Sequence, residues 1–194
     1  MQLTNSKDGF GLVAVTLHWV IAVAILYQIW LGDRMTEMED YASYPTHKSI
    51  GITILAFSVL RLLLRLINPP PPLPEHMPWW ERLGAHLSHW AFYGLMIGIP
   101  LTGWAMVSPA PDAQFASKTM IWGWFNLPPL PGLSALGEHQ AVTRQADRLH
   151  ALLATGVYVL LALHVLAALK HHLWDRDNVL TRMLPFLPVP RSRK

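Results

Sequence analysis

Two histidines, His150 and His164, close the ends of an otherwise apolar stretch, HALLATGVYVLLALH. An imidazole is costly to bury in an apolar setting unless something binds it. The chain has ten histidines and no cysteine in its 194 residues. Without cysteine there are no thiolate zinc sites, iron–sulfur clusters, covalently attached c-type haem or disulfides. Imidazoles are therefore the strong metal ligands on offer, with Met thioethers a weak second. Zinc and di-iron centres are disfavoured, because no Glu-x-x-His pair or other carboxylate-rich set lies in the apolar stretches.

The elements that must position these imidazoles follow from composition. Hydrophobic residues make up 52% of the chain and charged ones only 14%, the latter against about 25% in an ordinary soluble domain. With nine Trp and long apolar runs, this predicts a membrane protein. The formal charge of +3 is scattered around apolar segments, which is not the footprint of a nucleic-acid binder. Four segments reach the ~20 residues that a bilayer-crossing helix needs: 11–31, 47–67, 86–107 and 149–174. The first is longer than a signal-peptide h-region of about 7–15 residues and has no small-residue cleavage site after it, so it reads as a helix. Pro100 predicts a kink in the third. NPPPPLPEHMP (68–78) is a stiff link, and 108–148 is a longer loop holding WGWF and PPLPG, with room for a short interfacial helix near 133–146. The expected fold is all-α: one integral membrane four-helix bundle over residues 1–194.

Four spans put both termini and the 68–78 link on one side. Of the 15 Lys and Arg, ten fall on that side and five on the other, which predicts cytoplasmic termini. Depth then sorts the histidines. His18 lies toward the cytoplasmic end of the first helix and His47 opens the second at the outer face. His150 and His164 are 14 residues apart, about 21 Å along a helix and within ~40° of one direction. One helix thus offers two inward ligands at two depths, and each depth has a partner: His47 with His150 outside, His18 with His164 inside. Facing imidazoles stacked at two levels of a four-helix bundle are a geometry that holds two haems. His86 and His89, at the inner end of the third helix, compete with His18 for the inner position. His76 and His139 read as solvated loop residues. Gly51 and Gly156 leave room for a flat macrocycle or simply permit close helix packing.

Arg61 stands 14 residues from His47, so it shares the same face at the inner level. A buried guanidinium needs an anion, and a haem propionate suits it. Arg65 one turn on suits a lipid phosphate, and Arg148 just before His150 suits an outer propionate. Lys118, Arg144 and Arg148 form a basic outer rim that would attract an anionic donor.

The pieces TLHWVIA, HKSIGI, VLRLLLRL, AHLSHWAFYGLM, DRLHALLA, ALHVLAALKHHLW and DNVLTRMLP resemble bacterial cytochrome b561, the small di-haem, quinone-linked cytochromes of the inner membrane. The resemblance covers nearly the whole chain. It implies two b-type haems on His18, His47, His150 and His164, and electron exchange between a periplasmic donor and ubiquinone. It also implies an oxidoreductase of the superoxide oxidase kind, with quinone as acceptor. His171, seven residues beyond His164, matches a quinone-side position; it reads as an imidazole at the lipid–water boundary beside Lys170, His172 and Trp174. The 108–148 loop departs from the family in length and composition. Two other readings compete. One is a cytochrome subunit that anchors a dehydrogenase or hydrogenase and takes its electrons; the other is a non-redox, proton-conducting or structural bundle.

Overall fold

A computed structural model describes residues 2–108, 119–133 and 139–188. Four long helices are present: α1 Leu12–Glu37, α2 Tyr44–Ile67, α3 Trp79–Val107 and α4 His139–Lys170. Each is long and apolar enough to cross a membrane, and only 6–11% of the residues in their apolar windows are buried inside the protein. That outward apolar surface suits lipid rather than water. α3 continues as a helix through Pro100.

Helix ends are set by local chemistry. α1 has no side-chain cap. Its first N–H groups are met instead by the folded-back N-terminal segment: Leu12 N donates to Gln2 O at 2.9 Å and Gly11 N to the Asn5 side chain at 3.0 Å. Only glycine fits at position 11, since a Cβ there would collide with the Leu3 and Thr4 backbone. At the other end of α1, Arg34 and Ser43 both bond Asp40. The Ser43 hydroxyl, then the Arg34 guanidinium, hold that carboxyl below its usual range. α2 ends where the proline run begins.

Two helix starts lie well outside the hydropathy reading, both for one reason. Apolarity marks the bilayer, whereas the backbone ladder stops only at a breaker. α3 therefore starts at Trp79, directly after Pro78. α4 starts at His139, so the polar stretch 139–146 is its first turns rather than a separate interfacial helix, and His139 is helical rather than in a loop. At 32 residues α4 is about 48 Å long, more than the ~30 Å hydrocarbon core. Beyond Lys170 it widens into a π-turn, His171–Asp175, ended by Arg176 in the left-handed conformation.

α1 packs on α2, α2 on α3 and, most extensively, α3 on α4. Glycines line the α3–α4 contact: a Cβ at Gly98 would lie 3.4 Å from Leu153, and one at Gly156 3.6 Å from Leu95. Gly51 likewise faces Gln28 on α1. Gly51 and Gly156 thus each face a neighbouring helix, where a Cβ would make ordinary van der Waals contact. At the end that holds both termini, Trp19 donates to Met183 O (2.7 Å), Arg182 to Pro72 O (2.6 Å) and Asn5 to Asn68 O (3.0 Å). The tail, the proline link and the N-terminal segment are thereby tied together. The loop between α3 and α4 adds what an all-α reading does not contain: an antiparallel hairpin, β1 Thr119–Ile121 and β2 Phe125–Leu127, with Thr119 opposite Leu127.

Candidate functional site

Imidazoles meet at two levels. At one, the His47 and His150 ring centres are 6.2 Å apart; at the other, His18 and His164 are 6.3 Å apart. Two imidazoles sharing one metal, with metal–nitrogen bonds of about 2 Å and roughly 1.1 Å from nitrogen to ring centre, stand about 6 Å apart. Both pairs match that distance. α4 supplies one histidine to each, from α1's side below and α2's side above, and neither α1 nor α2 is a helix on which α4 packs extensively.

The surroundings of each ring bear on what it can bind. His150 Nδ1 lies 3.0 Å from Ile99 O and 3.1 Å from Thr102 Oγ1. A carbonyl only accepts, so Nδ1 carries the hydrogen and Nε2 keeps its lone pair for a metal. Gly103 makes room for this approach: a Cβ there would sit 3.3 Å from the ring. His47 Nδ1 is buried with no hydrogen-bond partner among the described residues, a costly state for a polar atom that nothing fills. These features fit a bis-imidazole metal group.

The inner level is more crowded. His89 stands 5.9 Å from His164, and Phe92 stands edge-on to the same ring at 5.2 Å. His86 is exposed and joins neither level. Arg61 reaches the inner level as its spacing requires, and donates to Ala14 O at 2.8 Å. Its other nitrogen is 3.4 Å from His18 Nδ1, where the imidazole must accept. Arg148 and Arg144 are exposed on the outer turns of α4; Arg148 makes no hydrogen bond to another described residue. Lys118 lies outside the described residues.

His171 lies within a cluster of carboxylates. It is buried, with Nδ1 2.7 Å from Asp177 Oδ2 and 3.0 Å from Asp175 Oδ2, and Nε2 3.8 Å from Glu81 Oε2. Lys170 bonds Glu81 at 2.6 Å and Asp175 at 2.8 Å, which offsets part of the charge of the three carboxylates. Asp177 is fixed in turn by the Val179 N–H at 2.9 Å. His76, 64% exposed at its side chain, comes within 3.8 Å of Asp177. Sequence spacing could not find Asp177 or Glu81, because the π-turn and the α3 contact bring them in. Thr102 and Gly103 carry no sequence signal either.

Four helices, each long and apolar enough to cross a membrane, thus bring histidine pairs together at two levels. The family model described as prokaryotic cytochrome b561 matches residues 9–186. The protein belongs to that family of membrane electron-transfer proteins, whose cofactor is b-type haem. Among its relatives, Cytochrome b561 homolog 2 of Escherichia coli (strain K12) is 35% identical over 190 residues, covering 95% of each chain. Probable superoxide oxidase CybB of Yersinia pestis is 31% identical over 184 residues, covering 91% of this chain and 96% of its own. Cytochrome b562 of Cereibacter sphaeroides is 22% identical over 189 residues, covering 93% and 98%.

Proposed function

We propose that this protein moves electrons across the bacterial inner membrane, between a periplasmic donor and ubiquinone, through two b-type haems. His47 and His150 would hold the outer one, and His18 and His164 the inner one. The observation that carries the reading is the pair of imidazole spacings, 6.2 and 6.3 Å, at levels about 21 Å apart along α4. When bound, each haem supplies one reversible one-electron site. The protein's own residues do the rest. Ile99 fixes the His150 tautomer. Arg61 would turn from His18 Nδ1 to a propionate, since an imidazole that binds through Nε2 carries its hydrogen on Nδ1 and cannot accept there. Arg148 offers the outer propionate an exposed partner. Superoxide is the donor that the Yersinia pestis relative's name suggests, and Arg144 and Arg148 give the outer rim the sign to attract it. Cytoplasmic termini follow from the Lys and Arg bias, which puts His171 and the quinone on the cytoplasmic side.

The reading is tested by a reduced-minus-oxidised visible spectrum of the purified protein with a haem-to-protein ratio. Two low-spin b-type haems per chain are expected. A colourless, folded protein overturns the redox reading, and a single haem removes one level from it. Arg61→Leu should lower the potential of one haem by tens of millivolts, because removing a nearby cation disfavours the added electron. Redox titration resolves the two; unchanged potentials in both would assign Arg61 to anchoring Ala14 O alone.

A further inference from the structure

Residues 119–133, TMIWGWFNLPPLPGL, contain no Lys, Arg, Asp, Glu or His. Connecting segments that face water are usually polar, so an uncharged run of this length calls for another solvent. Its first part is the β1–β2 hairpin, which lies against α2. Thr119 and Ile121 are buried on that side. The turn is fixed firmly. Trp122 takes a φ of 54°, a conformation that a bulky residue adopts only under constraint. Its backbone N–H donates to Ser49 Oγ at 3.0 Å, and its indole N–H to Thr53 Oγ1 at 3.1 Å. Behind the hairpin, Trp104 donates to Pro128 O and Leu130 N to Ser108 Oγ, both at 2.9 Å.

These bonds set the hairpin's depth. Thr53 lies five residues inward of Lys48, the first charged residue of α2, which is about 7–8 Å along the helix. The hairpin therefore flanks the end of a membrane span instead of standing above it. On its outward side Trp122 is 50% exposed, Phe125 51% and Trp124 87%. Trp is suited to the headgroup boundary, where an apolar ring meets a wet edge. A docking face for a soluble redox protein would be expected to carry charges that steer encounter, and this segment has none.

We propose that the hairpin Thr119–Leu127 is a lipid anchor. Its Trp122, Trp124 and Phe125 enter the headgroup–acyl boundary of the leaflet at the His47–His150 end and hold the adjoining end of α2 there. The absence of native cysteine makes the test direct. Trp124→Cys is spin-labelled in the haem-loaded full chain, reconstituted into vesicles of phosphatidylethanolamine and phosphatidylglycerol. Power saturation then compares collision with oxygen, which partitions into lipid, and with a water-soluble nickel chelate. Leu60→Cys on the exposed flank of α2 marks lipid, and Glu37→Cys at the end of α1 marks water. The oxygen-to-nickel ratio at position 124 should lie several-fold above that at 37 and toward that at 60. A ratio equal to that at 37 overturns the proposal and leaves a water-facing surface for a soluble partner. Should Trp124→Cys not purify, Phe125→Cys decides by the same criterion.

Discussion

Alanine at any one of His18, His47, His150 or His164 should lower the low-spin haem content of the purified protein from two per chain to one. Each substitution removes half of a bis-imidazole pair and leaves no second strong ligand at the outer level. The inner level needs a sharper argument, because His164 is 5.9 Å from His89 and 6.3 Å from His18. Distance does not separate the two partners, but packing does. His89 is on α3, which lies tight against α4 with Gly98 and Gly156 at the contact. A macrocycle cannot lie between helices that already touch. α1 is not packed in that way on α4, so a flat group would enter on the His18 side. His89→Ala should therefore keep two low-spin haems while His18→Ala keeps one. The reverse pattern, read by haem content and resolved redox titration, would move the inner ligand to α3 and leave His18 to Arg61.

Much of this site was legible in the chain because it depends on helical repetition alone. The interval of 14 residues recurs from His150 to His164 and from His47 to Arg61, and a regular helix turns such an interval into shared direction at two depths. Where the helix changes geometry, that arithmetic stops. The π-turn at His171–Asp175 adds a residue to the turn, so His171 enters a carboxylate cluster that a straight projection from His164 misses. The outer start of α4 and the first turns of α3 were illegible for a different reason. Hydropathy marks the most apolar stretch of a helix, and both helices continue past theirs to the next breaker. The hairpin was hidden because its strands are three residues each, too short for a period of two to be seen, and its pairing is sustained by Ser49 and Thr53, some 70 positions away. Gly51 and Gly156 show the limit of reading small residues: the sequence says that space exists, and only the neighbouring helix says what fills it.

At the quinone end, the expected result is a separation of binding from electron exchange. The Asp177 carboxylate accepts only, so the 2.7 Å contact puts a hydrogen on His171 Nδ1; a quinone carbonyl also accepts only, so Nε2 would donate to it when the ring carries a second proton, as imidazolium. Reduction of a quinone to quinol takes up two electrons and two protons, so a group at that atom must deliver protons as well as bind. Asp177 is buried and fixed by the Val179 N–H, and exposed His76 lies 3.8 Å from it on the proline link. This gives His171 a route by which a proton can be replaced from water. His171→Ala should leave both haem spectra unchanged and slow reoxidation of the reduced protein by a soluble ubiquinone analogue on the order of 10²-fold, the usual scale for loss of a proton-transfer group. His171→Gln can still donate a hydrogen bond but cannot relay a proton, so it should keep KM near the wild-type value while kcat falls. Asp177→Asn should fall between wild type and His171→Ala, as it replaces the carboxylate by a neutral amide that holds the tautomer less firmly but keeps the ring. Stopped-flow mixing measures all three. Reoxidation of His171→Ala at the wild-type rate would take His171 out of the quinone site. It would leave the Asp177–His171 pair as an internal fastening for the π-turn, where thermal stability rather than turnover would register its loss.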